Sequence, residues 1–144
     1  MQEQNLKNHI RIIPSWHFGV YLFILTFLIG ASRYLYITCE ADGNLYVPVL
    51  LVLAGLILLL VATFARSFAL KAQDRAIRAE ENLRYFAITG NLLDSKLSLK
   101  QIIALRFAGN NEFVDLAHRA VAENISAAEI KKAIQHWKGD YHRV

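Results

Sequence analysis

The sequence predicts an all-α membrane protein. The expected architecture is a two-span helical hairpin whose second span continues as a long cytoplasmic helix, followed by a small bundle of about three short helices. Four observations carry this. Of the 144 residues, 55% are hydrophobic and 19% charged, against roughly 45–50% and 25% in a soluble domain. The apolar excess is pooled: the 21 residues 12–32 and the 23 residues 43–65 contain no Lys, Arg, Asp or Glu. Residues 65–89 then contain neither Gly nor Pro and are rich in good helix formers. After residue 91, two Ser-x-x-Gln/Glu patterns mark the starts of short helices. This distribution excludes a disulfide-stapled secreted domain, a disordered tail and a simple cytosolic enzyme domain.

The elements follow in order. Residues 1–15 read as a cytoplasmic N-terminal segment carrying Lys7 and Arg11. Residues 16–37 read as the first transmembrane helix, because about 20 apolar residues cross a bilayer core. Lys7 and Arg11 would also suit a signal peptide, but no clean A-x-A exit follows the apolar run. Residues 38–44 form the outer loop, holding the lone Cys39, and no disulfide framework is available to it. Residues 45–65 are the second span. Arg66, Lys71, Arg75 and Arg78 follow it, whereas the loop between the spans carries Glu40 and Asp42. The positive-inside rule then puts both termini on the cytoplasmic side. Arg33 is placed to snorkel to the outer headgroups or pair with Glu40. Trp16, Tyr21, Tyr34, Tyr36 and Tyr46 form the interfacial aromatic belts.

The second span is expected to run on as a cytoplasmic helical extension over residues 66–90, stopped by Gly90. Along it Gly55, Leu58, Ala62, Ala65, Ala69, Ala72, Ala76, Ala79, Leu83 and Phe86 keep an unbroken 3-4 spacing. That is a heptad seam of mostly small residues, which lets helices approach closely. The seam is the expected interaction surface. The N-terminal segment, the chain's own C-terminal helices or a second copy would fill it. Beside it lies a charged block of Gln73, Asp74, Arg75, Arg78, Glu81 and Arg84. Asp74–Arg78 and Glu80–Arg84 are spaced i,i+4, each pair contributing about 0.2–0.5 kcal/mol.

Residues 91–144 read as a cytoplasmic helical domain. Ser98 and Gln101 form one capping box, before a helix with Leu99, Ile102, Ile103 and Phe107 on one face. The run Gly109, Asn110, Asn111 ends it. A second helix over 112–124 turns Phe113, Leu116, Ala117, Ala120 and Val121 inward. Ser126 and Glu129 cap a third, with Ile130, Ile134, Trp137 and Tyr141 on one stripe. Asp140 and His142 read as solvent-facing.

Chemistry is sparse. The histidines His9, His17, His118, His136 and His142 are scattered, no zinc-ligand spacing or H-E-x-x-H occurs, and no G-x-S-x-G is present. Glu80 and Glu81 point about 100° apart on a helix and make no facing dyad. No catalytic residue, metal or cofactor is expected, and the chain does not read as an enzyme. The expected function is that of a non-catalytic inner-membrane interaction or accessory/assembly subunit. Its partners would be membrane lipid and either a homo-oligomer or a larger membrane protein complex. Two other classes compete. A membrane-tethered regulator would bind nucleic acid through Lys131 and Lys132, but eight basic residues against six acidic ones after residue 90 make no basic stripe. A redox or quinone-linked subunit would use His17.

Four blocks carry a family resemblance over nearly the whole chain. Asn8, His9, Arg11, Pro14, His17 and Phe18 make an N-H-x-R-x-x-P-x-x-H-F opening. Residues 73–84 make a Q-D-R-x-I-R-x-E-E-x-L-R block, and residues 101–108 and 130–140 supply two more. The chain resembles an uncharacterised bacterial family of small two-span membrane proteins, a domain of unknown function. The resemblance implies spans followed by cytoplasmic helices and brings no activity with it. Asn110 and Asn111 stand where that family leads one to expect a more acidic turn.

Overall fold

A computed structural model describes residues 5–6 and 13–140. The readings placed on Lys7, Asn8, His9, Arg11, Tyr141 and His142 lie outside the described residues. A π-helical turn, Ser15–Val20, leads into α1 (Tyr21–Glu40), followed by α2 (Tyr46–Thr89), α3 (Leu99–Leu105), α4 (Asn110–Ala122) and α5 (Ala127–Ala133). The described residues contain no strand beyond one isolated antiparallel bridge, Ala108 with Trp137. The chain divides into two compact units, Ile12–Phe68 and Ala69–Val144 with Met1–Arg11, so α2 contributes residues to both.

The unit Ile12–Phe68 is built from two helices long and apolar enough to cross a membrane, Ser15–Glu40 and the first part of Tyr46–Thr89. Only 11% and 17% of their most apolar stretches are buried within the chain. Phe18, Phe23, Ile29, Leu53, Leu60 and Phe64 all stand exposed. A helix in a soluble core would bury such residues, so this exterior matches an apolar solvent. Pro14 opens the first helix, where its missing N–H costs nothing. Thr26, Thr38 and Thr63 each donate to the carbonyl four residues back, which satisfies their hydroxyls without outside partners. Between the helices Asp42 adopts φ +48° and Asn44 Oδ1 accepts from the Tyr46 backbone N–H at 2.9 Å. Glu40 accepts from the Tyr36 hydroxyl, and Arg33 forms no ion pair with it. Gly55 is buried where the two helices meet. A Cβ there would lie 2.9 Å from Leu28 Cγ and 3.1 Å from Phe27 Cδ1, so only glycine permits this approach.

The second unit holds the aqueous-type core. Tyr85, Leu105, Phe107, Phe113, Leu116 and Ile130 cluster with smaller apolar residues from α2 to α5. Gly90 at φ +76° ends α2, its N–H bonded to Phe86 O at 2.8 Å, in the left-handed cap that the sequence predicts. Both capping boxes form: Ser98 with Gln101 opens α3 and Ser126 with Glu129 opens α5. All five residues expected on the inner face of the second short helix are buried or half-buried.

Three local expectations need correction. Gly109 is the N-cap of α4, which begins at Asn110 rather than after an intervening turn. In α3 the core is made by Ile102, Ala104 and Leu105, while Leu99 is exposed. The last helix stops at Ala133, and Ile134 is extended at ψ 124°. Ile134 and Trp137 therefore reach the core from an extended strap rather than from a helical stripe. The strap wins because its backbone finds partners outside a helix. The Lys138 N–H donates to Phe107 O at 2.7 Å and the Gly109 N–H to His136 O at 2.8 Å.

Candidate functional site

Within the second unit, the α2 residues from Ala69 onward carry two unlike faces. The inner face is spelled by Ile77, Glu81, Arg84 and Tyr85, spaced four, three and one residues apart and so gathered on one side of a helix. Arg84 is its centre. Its Nη1 donates to Glu81 Oε2 at 3.0 Å, its Nε to Asn110 Oδ1 at 2.9 Å and its Nη2 to the Ala108 carbonyl at 2.7 Å. The guanidinium also lies 4.1 Å above the Phe113 ring centroid. One planar cation thereby ties α2 to the α3–α4 turn and the start of α4 by directional bonds and a ring face. The ion pair is nearly dry, with side-chain exposures of 11% for Arg84 and 7% for Glu81. Tyr85 extends the same face, its ring edge-on to Phe113 and its hydroxyl 3.3 Å from His118 Nε2. Asn82 Oδ1 accepts from the Leu93 N–H at 3.2 Å and so holds the chain returning from α2.

Two expectations change here. Arg84 pairs with Glu81, not Glu80, because only the i,i+3 partner shares its inward direction. The bundle docks on α2 through Arg84 and Tyr85, not through the alanine seam. A large aromatic and a buried ion pair offer more contact than three methyl groups.

A second acidic clasp holds the strap. The Glu112 carboxylate accepts from the backbone N–H groups of Gly109, Gln135 and His136, at 3.4, 3.0 and 2.9 Å. Arg106, only 8% exposed, pairs with Asp140 at 3.0 Å, so Asp140 is not the solvent-facing residue that the sequence suggests. Trp137 packs on Phe107 with ring centroids 5.3 Å apart. Sequence reasoning missed these three arrangements. The Gly-x-x-Glu spacing from Gly109 to Glu112 was the one signal that pointed to the first, since it matches a capping pattern.

The outer face of the same α2 stretch carries the predicted seam. Ala72, Ala76 and Ala79 are exposed, and so are Leu83 at 68% and Phe86 at 51%. Ala69 is half-buried. In the other unit, Gly55 and Ala62 are buried and Ala65 is exposed. The charged block divides accordingly. Glu81 and Arg84 are internal struts, Gln73 and Asp74 are half-buried, and Arg75 and Arg78 stand exposed. Two large apolar side chains in water on an otherwise small-residue helix face are the feature the chain's own packing leaves unexplained.

No group of three or more His, Cys, Asp or Glu able to hold a metal occurs among the described residues. His17 turns its Nδ1 to the Ile13 backbone, 2.8 Å from the carbonyl oxygen. Lys131 lies over the Phe107 ring, 5.6 Å from its centroid, and only Lys132 of that pair is fully exposed. A cleft of about 560 Å³ lies beside Tyr85 and His118, walled by Leu93, Leu97 and Val121. Compared with known proteins, residues 1–144 match one family model, described as a family of unknown function (DUF6526). No curated protein and no solved structure matches the chain.

Proposed function

The chain belongs to the family of unknown function DUF6526, and from its geometry we propose that it is a membrane-anchored, non-catalytic interaction subunit. The two apolar helices of the Ile12–Phe68 unit form the anchor, a two-span hairpin in a bacterial inner membrane with both ends on the cytoplasmic side. The helical unit beyond it presents the outer face of α2 to another protein as part of a larger assembly. The observation that carries this reading is the solvent-facing pair Leu83 and Phe86 in register with Ala72, Ala76 and Ala79. These residues add nothing to the chain's own core, which is complete on the opposite face. An exposed apolar strip on a soluble helix is disfavoured unless something covers it.

The test is gentle detergent extraction of the full chain followed by size and composition analysis. Leu83→Glu and Phe86→Glu are expected to abolish its association while leaving the melting transition unchanged, because neither side chain is in the core. Unaltered complexes in both variants would sink the proposal. So would recovery of the wild-type chain in the soluble fraction after cell breakage.

A further inference from the structure

The flanks of the exposed α2 face say what covers it. Numbering the seam as a heptad puts Ala69, Ala76 and Leu83 at a positions and Ala72, Ala79 and Phe86 at d positions. The charged residues that border such a seam are then Arg75 at g and Glu80 at e, while Gln73 at e and Asn82 at g are uncharged and half-buried. Arg75 and Glu80 are exposed, and neither forms an ion pair within the chain among the described residues. Arg84, the basic residue four positions after Glu80, is turned inward to Glu81 and Ala108. Glu80 is thus left with an open charge beside the apolar strip.

In a parallel two-stranded coiled coil in register, a g residue faces the e residue five positions later on the other helix. Arg75 and Glu80 are five apart. We propose that a second copy of this chain covers the outer face of α2, packed parallel and in register. Arg75 of each copy then meets Glu80 of the other on both sides of the Ala72–Ala76–Ala79–Leu83–Phe86 seam. Parallel order also follows from anchoring, since two copies inserted alike present α2 in the same sense. An antiparallel pair would instead set g against g and e against e, which places like charges together. The b, c and f positions Ile77, Glu81, Arg84 and Tyr85 are buried or half-buried on the far side, where Arg84 and Tyr85 hold each copy's own helices, so the seam itself is left free of them.

This inference rests on the interaction reading above and narrows it to one partner. The experiment uses the full chain in native membranes, with Cys39→Ser removing the free thiol. Ala76→Cys and Ala79→Cys are expected to cross-link into a disulfide dimer on mild oxidation, and Arg78→Cys, on the other side, is not. R75E alone or E80R alone should lose the cross-linked dimer, because each sets like charges across the seam. The double swap R75E/E80R should restore it. Co-expressed copies, one bearing R75E and the other E80R, should pair with each other and not with themselves. A cross-link from Ala76→Cys to a different protein would overturn the self-partner while leaving the interaction reading intact. Dimer formation indifferent to both charge reversals would overturn the parallel register. No cross-linked species at either seam position would remove the second copy altogether.

Discussion

Arg84 does more than its sequence position announces. By spacing it is one of several charges on a soluble helix, in a pair worth a few tenths of a kcal/mol. In the structure it satisfies a buried carboxylate, an asparagine side chain and a backbone carbonyl, and covers an aromatic face. Removing one partner from a buried pair leaves the other charge uncompensated, which costs about 3–5 kcal/mol. Arg84→Ala is therefore expected to lower the unfolding free energy of the helical unit by about that amount. Arg84→Lys should recover only part of it, since an ammonium lacks the planar fork. Denaturant titration followed by Trp137 fluorescence measures both; a loss under about 1 kcal/mol for Arg84→Ala would mean the network is not load-carrying in solution. Asn110 has a role here: its Oδ1 accepts a hydrogen bond from Arg84 Nε at 2.9 Å.

At the scale of elements, two helices make opposite demands on their residues. Gly55 in α2 sits against Leu28 and Phe27 of α1 with no space for a Cβ. Gly55→Ala should destabilise this helix pair by about 1–3 kcal/mol through overpacking. Shortening the opposing side chain with Leu28→Ala should recover part of that loss. Additive losses in the double variant, read by thermal melting in detergent, would show that the close approach is not what the glycine serves. In α5 the demand is electrostatic. Glu129 is held below its ordinary value of 4.5, first by the Ser126 side chain, then by the Ser126 backbone N–H, with Lys132 and Arg119 adding attraction. Its folded-state pKa is lowered, so the stabilisation is present above pH 4.5 and is lost as pH falls through the folded value. Amide protection in α5 should accordingly drop on acidification below about pH 4.5. Glu129→Gln, which retains the capping geometry, should flatten that dependence. An unchanged acid profile in that variant would assign the loss to other groups.

At the scale of the whole molecule, the membrane reading makes a direct topological statement. Cys39 is exposed, and the proposed topology, with both ends inside, puts it on the outer side. A membrane-impermeant maleimide should label it in intact cells, while a C-terminal tag resists protease until the membrane is opened. Protection of Cys39 together with cleavage of the tag in intact cells would reverse the orientation.

Much of this was legible from residues alone. Two charge-free runs, a glycine stop at Gly90 and two Ser-x-x-Gln/Glu boxes each state a local rule, and the chain obeys all of them. Helix existence and caps depend on neighbours within four residues, so a sequence displays them openly. The choice between the two faces of α2 was not legible, because a seam of regular spacing and a face of Ile77, Glu81, Arg84 and Tyr85 both satisfy helical periodicity. That choice rests on partners 24 to 33 residues away: Ala108, Asn110 and His118. The strap after Ala133 escaped for the same reason, since Glu112 draws Gln135 and His136 from 23 and 24 residues off. Local rules determined where the helices lie, and only packing at long sequence distance decided which side of α2 the chain covers itself and which side it leaves open.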